Sequence, residues 1–243
     1  MPNMFLSIEP SNALLSILTL ASTSASILSI TPPNPNPHSG EKKSANAASA
    51  ARPADTIAGT TSPFFLRFTK TWIATLGLIH AIITLYYPSD PPANICPNPA
   101  NLFPQLFIWS WVTLVLNTSI IVAAVIRRQC FVQLGKSFTF QLAAPKELVT
   151  TGIYKYIQHP SYTTLFTIMF SYTLLVGSRG GLLGCWVNMS WTLYWGPAAF
   201  YWALVIWHFR TRVGEEEKML KETFGKKWEV WHQKTARFIP GLI

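Results

Sequence analysis

Charge-free apolar runs recur along the chain, separated by short polar stretches, and their length decides the fold class. A hydrocarbon layer about 30 Å thick needs roughly 20 helical residues to cross it. Ser11–Ile30, Thr71–Pro88, Phe103–Ile126, Pro160–Ser178 and Leu182–His208 meet or approach that length. The pattern predicts an all-α, polytopic transmembrane helical bundle of about five spans. The first run is rich in Ser and Thr. Glu9 precedes it and no basic residue does, so it reads as a span, not a signal peptide. Pro197 lies inside the fifth run and predicts a kink. Only Ser178-Arg179-Gly180-Gly181 separates the last two runs, so a tight helical hairpin is expected. Thr31–Pro63 opens with TPPNPNP, a proline density that forbids helix. Poor order is expected from about Asn36 to Thr60. The chain then divides into a first span with a Pro-rich linker (1–63), a transmembrane hairpin (64–126) and a region of two spans with a polar tail (127–243).

Composition agrees with lipid around much of the surface. Charged residues make up 12% of the chain, against roughly 25% in soluble domains. The net charge is +9, yet no basic stripe or motif points to nucleic acid. The basic residues instead mark sides of a membrane. Residues 31–70 carry Lys42, Lys43, Arg52, Arg67 and Lys70, and 127–159 carry Arg127, Arg128, Lys136, Lys146 and Lys155. The stretch from His208 onward carries eight Lys or Arg, whereas 88–102 carries only Asp90. Five spans and this alternation put the N-terminus outside and the tail in the cytosol, with Arg179 a lone exception. The loop 127–159 and the tail then share a side. Cys96, Cys130 and Cys185 are far apart, odd in number and without CxxC spacing. They read as lone thiols in apolar surroundings, with no disulfide framework and no metal site.

Three constellations could carry chemistry. The first runs from Leu148 through Gly152 and Tyr154 to His159-Pro160-Ser161-Tyr162. Pro160 suits the first position of a helix, which sets His159 and Tyr162 at a helix N-terminus that favours an anion. A span start with an interfacial His and Tyr explains it as well. The second is Arg210-Thr211-Arg212-Val213-Gly214-Glu215-Glu216-Glu217. A solvated charged turn with an Arg212–Glu216 pair is the plain explanation. Against it, clustered charge at a membrane edge is costly without a role. The third is the apolar stripe Leu220, Phe224, Trp228 and Trp231, which predicts a cytosolic amphipathic segment lying in the interface.

In order and spacing these blocks resemble the isoprenylcysteine carboxyl methyltransferase family. The pattern is LVTxGxYxYxxHPSY, two apolar runs, RxRxxEEExxL, FGxxWxxW and a closing IPG, over roughly residues 127–243. The resemblance implies a multi-pass enzyme of the endoplasmic reticulum membrane, with its catalytic face cytosolic. Such an enzyme uses S-adenosyl-L-methionine to methylate the C-terminal carboxylate of prenylated cysteine in proteins that have undergone CaaX processing. It implies that His159, Pro160, Ser161, Tyr162, Tyr154, Lys146, Glu147, Leu148, Val149, Gln141 and Glu216 hold the cofactor. It also implies that Arg212 handles the substrate, with Arg212 and Glu216 as the catalytic pair. Partners are then prenylated protein C-termini and the lipid bilayer, with no nucleic acid and no metal. One departure is visible: most members have Arg before HPSY, where this chain has Gln158. Three other readings remain open. They are a phospholipid methyltransferase on the same architecture, a sterol-type membrane reductase sharing the HPxY block, and a helical scaffold without catalysis.

Overall fold

The computed structural model describes residues 9–34, 55–89, 91–188 and 190–241. Among these residues the regular structure is helical. In chain order it comprises α1 (Pro10–Ser29), α2 (Pro63–Tyr86), α3 (Trp111–Leu134), α4 (Pro160–Val176), α5 (Leu182–Trp186), α6 (Trp191–Phe224) and α7 (Lys226–Lys234). Three helical stretches, Pro10–Ser29, Pro63–Tyr86 and Pro104–Ser137, are long and apolar enough to cross a membrane. The chain separates into two compact units. One comprises the described part of Met1–Ser29 with Phe68–Val125 and Leu165–Ala199; the other comprises Ile30–Arg67, Ile126–Thr164 and Phe200–Ile243 in their described parts.

The first unit has its polarity turned inward. On α1 the buried face is Asn12, Leu15, Ser16, Thr19, Ser22, Thr23, Ser26 and Ser29. Ser22 is fully buried, while Leu14 and Ile17 on the same helix are 59% and 61% exposed. Small hydroxyl residues let helices approach closely in lipid and bond to each other or to their own backbone. Ser22 donates to Asn117 Oδ1 of α3 at 2.6 Å, and Ser16 donates to the Ala81 carbonyl of α2 at 2.9 Å. Thr19, Thr23 and Ser26 return their hydroxyls to carbonyls one turn back on α1. Gly77 of α2 sits against Thr23, where a Cβ would lie 2.3 Å from the threonine Oγ1. Deeper in, Phe107, Ile83, Ile120, Leu175 and Leu182 form an apolar core with fully buried His80, whose Nε2 lies 3.1 Å from the Leu106 carbonyl.

Several expectations change here. Cys96 and Cys185 are not lone thiols: they form a disulfide, and only Cys130 among the three is free. Spacing along the sequence hides the pairing because the 88–103 loop folds onto α5. Asn98 donates from its backbone and its side chain to the Cys185 carbonyl, Asn101 donates to Gly184, and Phe103 N–H donates to Gly180. The fifth run is also not one helix. It leaves helical geometry after Trp186 and restarts at Trp191, where Ser190 Oγ accepts the Leu193 N–H at 3.3 Å. Asn and Ser favour helix starts over helix interiors. From there α6 runs for 34 residues, through Pro197 and through the charged block. Of the linker expected to be poorly ordered, 36–54 lies outside the described residues. Its end is held in place: Ala58–Thr61 forms a 3-10 turn and Ile57 is buried.

Because any side chain at position 77 must push into α1, Gly77→Val should destabilise the first unit by about 1–3 kcal/mol. Thermal unfolding in detergent, followed by near-UV circular dichroism, should show a lower midpoint. Thr23→Ala in the same chain should recover part of the loss.

Candidate active site

The residues singled out at the start of α4 and on the charged part of α6 meet within the second unit. Arg127, near the end of α3, is buried and donates to Ser161 Oγ at 2.6 Å and to the Ser161 carbonyl at 2.5 Å. Its guanidinium also stands 5.0 Å from the Phe131 ring centroid. This anchors the first turn of α4, with Pro160 as its first residue. His159, just ahead of that turn, is buried and places Nε2 3.0 Å from Glu217 Oε1. Tyr162, one turn further, donates its hydroxyl to Glu216 Oε2 at 2.8 Å. Consecutive carboxylates of α6 therefore take the two functional side chains of the His159–Tyr162 block.

Glu217 is also clasped by Arg237, whose Nε and Nη2 each reach one carboxylate oxygen at 2.6 Å. Burial acts to raise the Glu217 pKa, but the hydrogen bonds from His159 and Arg237 outweigh it and bring it down to about 2. Arg237 arrives on a closing segment that runs alongside residues 154–163. Gly225, at a φ of +51° that favours glycine, separates α6 from α7. Trp231 of α7 donates to the Tyr154 carbonyl at 2.9 Å. Gln158 N–H donates to Ala236, His159 N–H to Arg237, and Ala236 N–H back to Tyr156. Within the apolar stripe, Trp228 is buried and stacks on His232, and Trp231 is tied to protein backbone.

Gln158, the departure from the family pattern, is part of this clasp. It is buried, with Nε2 donating to the carbonyls of His232 and Thr235 at 2.9 and 2.7 Å. Its Oε1 lies 2.7 Å from His232 Nδ1. A neutral amide supplies both donors and an acceptor here, which a guanidinium cannot do.

Arg212 does not pair with Glu216. It is buried, its Nη1 lies 2.8 Å from Asp55 Oδ1 as an ion pair off the angle of a hydrogen bond, and its Nη2 donates to the Phe140 carbonyl. Asp55 Oδ2 accepts the Leu142 N–H at 3.0 Å. Next to it, Thr56 donates from its hydroxyl to Glu215 Oε1 at 2.6 Å and from its N–H at 3.2 Å. Tyr154 is buried, and its hydroxyl has no hydrogen-bond partner among the described residues. Burial, then the nearby Cys130 and Glu216, push the pKa of this phenol up, so it stays a neutral donor.

Among the sequence candidates, then, His159, Pro160, Ser161, Tyr162 and Glu216 gather in one unit with Arg212 and Tyr154. The others lie on the irregular stretch between α3 and α4. Lys146 and Glu147 are exposed, Leu148 is buried, and Gln141 and Val149 are half-buried. None of these five makes a hydrogen bond to the His159–Glu217 cluster among the described residues. Asp55, Arg127, Glu217 and Arg237 were missed. Glu217 could have been found as the neighbour of Glu216 in one acidic run; Asp55 left no local signal, since its partner lies 157 positions away, at 212 − 55.

Residues 113–222 match the profile of the Isoprenylcysteine carboxyl methyltransferase (ICMT) family. A probable protein-S-isoprenylcysteine O-methyltransferase of Oryza sativa subsp. indica is 30% identical over 146 residues, 58% of this chain and 68% of the relative. Protein-S-isoprenylcysteine O-methyltransferase B of Arabidopsis thaliana is 28% identical over 144 residues, 57% of this chain and 64% of the relative. The protein-S-isoprenylcysteine O-methyltransferase of Schizosaccharomyces pombe is 32% identical over 120 residues, 47% of this chain and 44% of the relative. The chain belongs to the isoprenylcysteine carboxyl methyltransferase family.

Two outcomes check the clasp. Glu217 has its pKa lowered from 4.5 to about 2, so its contribution is present above about pH 4.5 and is lost as pH falls toward 2. Protection of the Gln158, His159 and Ala236 amides, relative to their intrinsic exchange at each pH, should fall over that window, and Glu217→Gln should show the reduced protection already at pH 7. Gln158→Ala leaves two half-buried carbonyls and a histidine nitrogen without their partner. It should cost the closing segment about 1–3 kcal/mol, read as faster exchange at the same three amides.

Proposed function

We propose that the protein methylates the C-terminal carboxylate of prenylated cysteine in proteins, using S-adenosyl-L-methionine. The observation that carries this reading is the meeting of His159 and Tyr162 with Glu216, Glu217 and Arg212, beside apolar helices. It joins the two blocks through which the family is recognised. The buried Tyr154 hydroxyl, near Cys130 and Glu216, offers a neutral donor to a bound polar ligand. Glu216, Tyr162, Tyr154 and the backbone at His159 are the groups offered to the cofactor. Leu148 and Val149 would line its less polar side, with Pro160 and Ser161 fixing the turn.

S-adenosylmethionine supplies, when bound, a sulfonium methyl that a carboxylate oxygen takes while the carbon–sulfur electron pair returns to sulfur. The prenylcysteine carboxylate is already ionised at neutral pH, so the protein has no proton to remove. Its work is to orient and to exclude water. Arg212 presents a planar fork to the carboxylate. Alignment of this kind can lower a barrier by about 7–11 kcal/mol. Partial burial also strips water from the oxygen that reacts.

The reading places α4 and α6 as further spans beside the three long apolar stretches, for five in all, in the endoplasmic reticulum membrane. The basic segments and the candidate site then face the cytosol. The Cys96–Cys185 disulfide lies by the loop without basic residues, which supports a lumenal side for that loop, since disulfides persist in oxidising compartments.

In membranes given labelled S-adenosylmethionine, an S-farnesylcysteine analogue should become base-labile methyl ester and phosphatidylethanolamine should not be labelled. Arg212→Ala should lower kcat/KM by about a hundredfold and Glu216→Gln by about tenfold or more. Labelling of the phospholipid instead, or normal kcat/KM in both variants, would overturn the reading.

A further inference from the structure

The Arg212 guanidinium already faces an anion. Nη1 lies 2.8 Å from Asp55 Oδ1 and Nη2 donates to the Phe140 carbonyl. Phe140 contributes a backbone carbonyl, whereas Asp55 contributes a carboxylate, the same group that the prenylcysteine substrate would bring. Asp55 comes from the end of the Pro-rich linker; its Oδ2 accepts the Leu142 N–H, and Thr56 beside it donates to Glu215.

We infer that Asp55 is a built-in stand-in for the substrate carboxylate. It occupies Arg212 between turnovers and is exchanged for substrate, like for like. The inference rests on the role of Arg212 proposed above. Its consequence is a specificity and release device. A buried guanidinium stripped of its anion is costly, so Arg212 gives up Asp55 only to another anion. A prenylcysteine carboxylate qualifies and a neutral molecule does not. Once the carboxylate has become a methyl ester its charge is gone, and Asp55 returns to Arg212 as the ester leaves. Asp55 is thus a specificity-determining residue that acts through Arg212 and touches no reacting atom. Substrate affinity is reduced by the fraction of time for which Arg212 is covered.

The test measures KM for N-acetyl-S-farnesylcysteine and the inhibition constant of its methyl ester, using the full chain in membranes. Asp55→Asn keeps the shape and removes the competing charge. KM and the ester inhibition constant should fall together, each by about tenfold, because both ligands need Arg212 uncovered. Product inhibition should then appear in progress curves of Asp55→Asn that are linear for the parent. Thr56→Val loosens the same segment without touching the charge and should move both constants the same way by a smaller factor, so it decides the matter if Asp55→Asn does not fold. Unchanged or raised constants in a folded Asp55→Asn, or in Thr56→Val, would overturn the inference and leave the role of Arg212 standing. Full activity of Arg212→Ala in the same assay would instead remove the reading of Arg212, and this inference with it.

Discussion

A charge carried to the edge of a hydrocarbon layer must be paired or hydrogen-bonded within a few ångströms, and the second unit is organised by that requirement. Arg212 has Asp55, Glu217 has His159 and Arg237, Glu216 has the Tyr162 hydroxyl, and Arg127 has Ser161. Each pairing joins segments far apart in the chain. The start of α4, the end of α3, the charged turns of α6, the linker end and the closing segment are therefore fixed by one set of polar contacts. Dispersion forces alone would leave their register loose. Removing one partner from a buried pair is far more costly than never having had the pair.

The first unit solves a related problem with the opposite material. On α1 the neutral hydroxyls and Asn12 face inward while Leu14 and Ile17 face outward, because lipid demands nothing polar and offers no water. The Ser/Thr-rich character of α1, which weakens its apolar pattern, is what lets Ser16 and Ser22 reach α2 and α3. The same feature makes the helix less conspicuous as a span and better packed as a member of a bundle.

Local pattern carried the helical class, the apolar stretches, and the two blocks ending at Tyr162 and at Glu217. Those follow from periodicity, from proline at a helix start and from charge runs, all of which act over a few residues. What escaped depends on distant pairing. The Cys96–Cys185 disulfide needs the 88–103 loop to lie on α5. The docking of Trp228 and Trp231 onto protein cannot be told from membrane docking by amphipathicity, because either partner rewards the same stripe. Asp55 sat in a linker read as poorly ordered, and only the third dimension gives it a partner. Gln158 was visible as an exception but not as a part. Its amide matches two carbonyls and a histidine nitrogen of the closing segment, so the departure from arginine belongs to how that segment is fastened.

The continuity of α6 through Pro197 and past its acidic block has a mechanical side. Arg212, Glu216 and Glu217 ride on a single shaft, and successive residues on it are set about 100° apart and 1.5 Å along. Their mutual spacing cannot be adjusted one at a time. Anything that turns or slides the shaft shifts all three together, like teeth on one gear, so a grip on any of these side chains is felt at the other two.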